Sequence, residues 1–151
     1  MSLVTIHSAT VRRIQAGDLD SLADLFVCIF PEGVQEEARH YYSHFVMPNE
    51  GTGLWVLVVD NQIVGALDIV AYNKPLKPCW SASIQYFFTK PEYEDQAWKL
   101  LKKAFRFCRA NKIESCYMDV PLKDVKKWSI NHHFTIEGAS MKGPYTWANL
   151  T

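Results

Sequence analysis

The chain has 151 residues, 48% of them hydrophobic and 21% charged, with sixteen Lys and Arg set against sixteen Asp and Glu. That balance excludes dominant disorder and any global attraction to nucleic acid or anionic membrane. No apolar run reaches the roughly 20 residues that span a bilayer, and no basic-then-apolar leader opens the chain, so no membrane partner and a cytoplasmic location are expected. The four cysteines, Cys28, Cys79, Cys108 and Cys116, form no C-x-x-C pair. They therefore read as reduced thiols rather than as a metal or redox motif. Neither a linker nor a repeat interrupts the sequence, so one domain over residues 1–151 is expected.

In chain order, "SATVRRIQ" (8–15) reads as a short strand carrying Val11 and Ile14. "AGDLDSLADLFVCIF" (16–30) places Leu19, Leu22, Ala23, Leu25, Phe26 and Ile29 at helical spacing, with Asp18 as its expected N-cap and Pro31 and Gly33 as its stop. A second helix, "VQEEARHYYSHFVM" (34–47), ends before Pro48. "GLWVLVVDNQIVGALDIVAYN" (53–73) is a hairpin pattern: two β-branched and aromatic runs flank Asp60-Asn61. After the polar loop "KPLKPC", "WSASIQYFFT" (80–89) is a further strand. "PEYEDQAWKLLKKAFRFCRANK" (91–112) is the longest predicted helix, its stripe formed by Trp98, Leu101, Ala104 or Phe105, and Cys108. "IESCYMDV" (113–120) reads as a strand, "LKDVKKWSINHH" (122–133) as a short helix, and "FTIEGA" and "PYTWANL" as final strands.

The order β-α-α-β-β-β-α-β-α-β-β calls for a parallel pair near the middle and antiparallel hairpins elsewhere. The expected class is α/β (α+β), with a mixed, mostly antiparallel central sheet of six to seven strands and helices on both faces.

That order resembles the GNAT superfamily of N-acetyltransferases from about Thr10 to Leu150. "VRRIQAGDLDSLADLF" is similar to the family's opening strand and helix, and "VVDNQIVGAL", with Gly65, to its second and third strands. "YFFTKPEYEDQAWKLLKKAF" resembles its fourth strand and cofactor helix, and "FTIEG" the strand after its short fourth helix. The resemblance implies acetyl-CoA, or another acyl-CoA, as cofactor. Its pantetheine would lie along the backbone of Phe87, Phe88 and Thr89, and its pyrophosphate on the next helix N-terminus, near Gln96, Ala97, Trp98 and Lys99. It also implies direct attack on the thioester by an amine of a small-molecule or protein acceptor, with the second helix bordering the acceptor pocket. Tyr41, Tyr42 and His44 are the substrate-binding candidates there.

Two departures from the family pattern stand out. Its phosphate loop, approximately [R/Q]-x-x-G-x-[G/A], is replaced by Glu94-Asp95-Gln96-Ala97-Trp98-Lys99, which is shorter, lacks glycine and carries two carboxylates. Glycine allows close approach of backbone to phosphate, and an acidic side chain repels the anion. Glu92, Glu94 and Asp95 equally suit a helix N-terminus with no ligand at all. On the short helix, Ser129 stands where the family's proton-donating tyrosine falls and His133 where its glycine falls. Ser129, relaying a proton through water, and Asp119 are the catalytic candidates; Asp68 and Asp119 are the strand carboxylates. A carboxylate in the cleft beside desolvating aromatics would have a raised pKa.

Glu36, His40 and His44 share a helical face, but without H-E-x-x-H or a fourth ligand no metal site is expected. Lys99, Lys102, Lys103, Arg106 and Arg109 form a basic face, solvated or anion-attracting. A homodimer through a sheet edge is a further possibility. Two functions remain open: an acyl-CoA-dependent N-acyltransferase, or a non-catalytic GNAT-fold binding or regulatory protein.

Overall fold

The structure of the chain, a computed structural model, describes residues 8–47, 49, 51–73, 80–118, 135–137 and 140–142. Its elements are β1 (Thr10–Arg13), α1 (Leu19–Ile29), α2 (Gln35–Ser43), β2 (Thr52–Val59), β3 (Gln62–Asn73), β4 (Trp80–Thr89), α3 (Trp98–Ala110), β5 (Ile113–Met118), β6 (Thr135–Glu137) and β7 (Ser140–Lys142). They form a mixed sheet of order β1-β2-β3-β4-β5-β7-β6, in which β4 and β5 are parallel and every other pair is antiparallel.

Helices cover both faces. On one side α3 buries Leu100, Leu101, Ala104, Phe105 and Cys108 against Leu57, Leu67, Ile69 and Ile84. On the other, α1 and α2 bury Leu22, Leu25, Ala38 and Tyr42 against Leu54, Val56, Ala66 and Phe88. The period-two alternation along β2 makes this possible: Leu54 and Val56 face α1 and α2, while Leu57 and Val59 face α3. Between β2 and β3 the chain reverses at Asp60 and Asn61, with φ of 50° and 63°. Both residues are left-handed, as a tight hairpin turn with right-twisted strands requires.

Two expectations change. Asp18 occupies the N-cap position of α1 but makes no capping hydrogen bond. Its carboxylate is instead taken by Arg12, at 2.6 and 2.9 Å, and by the Gln15 N–H, at 2.8 Å, within a 3-10 turn over Ala16–Asp18. The long helix expected over 91–112 is in two pieces, a 3-10 segment over Pro91–Gln96 followed by α3. None of residues 91–96 is buried, and a single partly buried ring, Tyr93, packs against the core, too little to hold α geometry there. β7, at Ser140–Lys142, is a strand not expected from the sequence, and nothing described bears on the one expected in "PYTWANL". That stretch, and the short helix over 122–133, fall outside the described residues.

Candidate active site

The pairing of β4 determines the site. From Trp80 to Ile84 it runs parallel to β5, the last pair being Ile84 with Met118. Beyond Ile84, β4 keeps its pairing to β3, through Phe87–Leu67, Phe88–Ala66 and Thr89–Gly65. Its other edge has no strand partner among the described residues. Among the described residues the β4–β5 ladder ends at that pair, and β4 runs on to Thr89. Gly65 keeps β3 close to β4 at this point: a Cβ there would lie 2.9 Å from the Phe88 carbonyl oxygen.

At the same place β4 bulges. The register passes from Leu67–Phe87 to Ile69–Ile84, which leaves both Gln85 and Tyr86 opposite Asp68. The Asp68 carboxylate fills the irregularity. One of its oxygens accepts the N–H groups of Gln85 and Tyr86, at 3.0 and 3.1 Å, and the other accepts the Tyr41 hydroxyl of α2 at 2.8 Å. Asp68 has 0% exposure. Burial pushes its pKa up to about 6, although the three hydrogen bonds to the carboxylate pull the other way. The same burial and the Asp68 charge push the Tyr41 phenol up, so it remains a donor.

Beside this carboxylate is a pocket of about 370 Å³, lined by the rings of Phe26, Phe30, Tyr41, Tyr42 and Tyr86 and by Glu32 and Glu37. The rings brace one another: Phe26 and Tyr86 meet at 5.2 Å, Tyr41 and Tyr86 at 5.6 Å, and Tyr41 and Tyr42 at 5.1 Å between centroids. Gly33, which ends the turn after α1, has no room for a side chain beside Phe26. Tyr86 belongs to both features, since its amide is in the bulge and its ring in the pocket wall.

Of the substrate-binding candidates, Tyr41 and Tyr42 line this pocket. His44 does not; it is exposed, and its ring bonds the His40 and Tyr41 carbonyls at the end of α2. Of the cofactor candidates, Phe87, Phe88 and Thr89 lie at the end of β4, with Phe87 and Phe88 packed on opposite faces of the sheet. Ala97 is buried at the start of α3, and Trp98 is its first residue. Gln96 and Lys99 are engaged elsewhere. The Gln96 side-chain oxygen accepts the Ala9 N–H at 2.9 Å and the Lys99 ammonium at 3.0 Å, and that ammonium also donates to the Ala9 carbonyl at 2.9 Å. Together they tie the chain entering β1 to α3. Ser129 and Asp119 lie outside the described residues. Asp68 was visible as a strand carboxylate, and it shares its strand face with apolar Ala66 and Val70, a sign of burial. The bulge that gives it partners has no signature in the sequence.

A sequence model of the acetyltransferase (GNAT) family matches residues 19–127. The chain belongs to that family. Solved GNAT structures share its fold. Glucosamine-6-phosphate N-acetyltransferase from Arabidopsis thaliana superposes with a TM-score of 0.71 at 11% identity, over 87% of this chain and 94% of that one. An aminoglycoside N-acetyltransferase in complex with CoA gives 0.67 at 10% identity, over 87% and 90%. A soil-metagenome aminoglycoside acetyltransferase in complex with sisomicin gives 0.59 at 17%, over 83% and 86%. No curated protein sequence matches the chain.

The two halves of a CoA site fit this GNAT chain unequally. The extended end of β4 suits pantetheine, which needs backbone donors and acceptors in a row. The Pro91–Gln96 turn does not suit pyrophosphate. The N–H groups of Tyr93 and Ala97 are spent inside it, on the Lys90 and Glu94 carbonyls, and Glu92, Glu94 and Asp95 are exposed carboxylates. Among the described residues, no group of three His, Cys, Asp or Glu side chains could hold a metal ion. No described helix is long and apolar enough to cross a membrane.

Proposed function

We propose that this GNAT protein is an acyl-CoA-dependent N-acyltransferase, one domain over 1–151, acting in the cytoplasm on an amine of a small molecule or protein. An aromatic pocket beside the β4 bulge, in a chain of the GNAT family, carries the reading. The relatives named above are, by name, acetyltransferases of aminoglycosides and of glucosamine-6-phosphate, and the aromatic pocket of this chain supports a place for an acceptor. When bound, acyl-CoA supplies an activated thioester carbonyl. The backbone of Tyr86–Thr89 would hold the pantetheine arm, and Tyr41, Tyr42 and Tyr86 would orient the acceptor. Ser129 is proposed to relay a proton through water to the leaving group. A homodimer through the sheet edge is compatible with this scheme.

A second reading, a GNAT-fold binding or regulatory protein without catalysis, is favoured by the acidic Pro91–Gln96 turn and by the engagement of Gln96 and Lys99 with β1. Thermal unfolding with and without millimolar acetyl-CoA separates the two. Ligand at 100 times its dissociation constant stabilises by about 2.7 kcal/mol, which for a chain of this length raises Tm by roughly 5–10 °C. The enzyme reading expects that rise. A flat response to acetyl-CoA, CoA and longer acyl-CoAs would leave the binding module.

A further inference from the structure

We propose that the acyl group reaches this chain on a pantetheine arm borne by an acidic carrier protein, which docks on the cationic face of α3, in preference to an arm borne by free CoA. The donor half deepens the acyltransferase reading and rests on it; the docking half rests on charge and burial alone.

The disagreement between this chain and CoA is confined to one end of the cofactor. The extended end of β4 suits the pantetheine arm, which both donors share. CoA adds a diphosphate and a further phosphate on its nucleotide, and the turn before α3 receives anions poorly. The N–H groups of Tyr93 and Ala97 bond the Lys90 and Glu94 carbonyls at 2.9 and 3.2 Å, and those of Leu100 and Leu101 both bond the Ala97 carbonyl. Glu92, Glu94 and Asp95 are exposed carboxylates in the same turn. Each phosphate brought there is repelled. An arm on a carrier protein ends in a single phosphodiester, so it meets the least of this repulsion.

The helix that follows has the opposite character. From Ala97 to Lys112 the chain carries Lys99, Lys102, Lys103, Arg106, Arg109 and Lys112 and no Asp or Glu, although the whole sequence is neutral. Leu100, Leu101, Ala104, Phe105 and Cys108 are buried against the sheet, which leaves the α3 cations on the outward side. Spacings of three and four residues set them in rows over about 15 Å from Lys99 to Arg109. Lys99 is held by Gln96 and Ala9. Lys103, Arg106 and Arg109 have no carboxylate partner among the described residues. Partial burial, and then the Arg106 and Lys103 charges, hold the Lys102 ammonium below its ordinary pKa. Cations that repel one another gain when an anionic surface covers them. Beside them Phe107 and Trp55, both half-buried, meet edge to face at 6.1 Å and offer an apolar anchor within the charge.

A folded acidic protein fits this face better than a nucleic acid. A strand's phosphates recur at even spacing, so one laid along α3 would run onto Glu92, Glu94 and Asp95 at the helix start. A protein surface ends where its own charges end. Only the acidic turn separates α3 from the end of β4 along the chain, so the arm of a protein seated on α3 has that turn to pass.

The transfer balances without a further reactant. The acceptor nitrogen bonds the thioester carbonyl carbon, the carbon–sulfur bond breaks, and the departing thiolate of the arm takes the proton that the nitrogen loses.

Docking is tested without turnover. A fluorescently labelled bacterial acyl carrier protein, in its holo form, is titrated with the full chain and followed by anisotropy. Saturable binding is expected at about 20 mM salt, weakened about tenfold or more at about 300 mM. Lys103→Glu/Arg106→Glu should weaken it about tenfold at the lower salt with Tm unchanged. Should that reversal lower Tm, Arg106→Gln/Arg109→Gln, at two exposed positions, repeats the test. No saturable binding, or binding that these variants leave unchanged, overturns the docking face. So does tighter binding of a single-stranded oligonucleotide of about 20 nucleotides. The donor half is read by competition. Acetyl-pantetheine should displace the holo carrier about as well as acetyl-CoA does, and an advantage of about 100-fold for acetyl-CoA would show that the turn holds phosphate and overturn the preference. If charge reversal releases the carrier, yet the apo form without the arm binds equally well and neither thioester competes, the α3 face stands and the acyltransferase reading falls.

Discussion

At the scale of single residues, Asp68 makes a prediction about stability that is separate from catalysis. Its folded pKa, about 6, lies above the ordinary carboxylate value of 3.8. Below both values the carboxyl is protonated whether the chain is folded or not, and the fold benefits from burying a neutral group. As pH rises from about 4 to 6 that benefit is lost, because the folded chain must bury a charge that the unfolded chain exposes. The size is roughly 3 kcal/mol, an order-of-magnitude figure from the pKa difference. Chemical denaturation at pH 4 and pH 7 should show Asp68→Asn gaining on wild type as pH rises. Equal differences at both pH values would remove the argument. Asp18 behaves oppositely. The Arg12 guanidinium holds its carboxylate down, so that pair supports the fold at neutral pH and releases as acid titrates it. Neither environment could be read from residue type. Asp18 looked like a helix cap, and an arginine six residues earlier outbid the helix for it.

At the scale of elements, the β2–β3 hairpin was the most legible feature and the start of α3 the least. Asp60-Asn61 announces a turn because both types tolerate positive φ, and the observed angles of 50° and 63° require it. Asn61→Val should therefore cost about 1–2 kcal/mol, the usual penalty of a left-handed side-chain-bearing residue. For a chain of this size the melting temperature should fall by roughly 2–8 °C; an unchanged Tm would mean that the turn relaxes to another type. The segment 91–112 misled because proline and acidic residues mark a helix start wherever they fall. Only the position of the first buried side chain, Ala97, tells where α packing begins, and burial is a property of the partner surface.

At the scale of the whole molecule, one sheet divides two cores with different duties. The α3 side holds Leu100, Leu101 and Phe105, all with 0% exposure, and serves packing. The α1–α2 side holds the pocket, the bulge carboxylate and the tyrosines. Phe105→Ala should cost about 3–5 kcal/mol through lost burial and the cavity left behind, lowering Tm by roughly 6–20 °C. It should leave the raised midpoint of Asp68 intact, because the sheet separates the two. A Phe105→Ala chain that stays folded but loses that raised midpoint would show that the two faces are coupled through β3 and β4.

What the sequence determined alone was the order of elements from β1 to β5, because hydrophobic period and turn chemistry are local properties. It also singled out Tyr41 and Tyr42, which line the pocket. What only tertiary structure decided was which charges have partners. Gln96 and Lys99, expected near a pyrophosphate, instead bond Ala9 just before β1, nearly ninety residues away in sequence. Asp68 sits in an apolar strand, yet a one-residue bulge on its neighbour and a tyrosine from α2 make it a held carboxylate. Partners of this kind come from distant segments, so no local pattern encodes them.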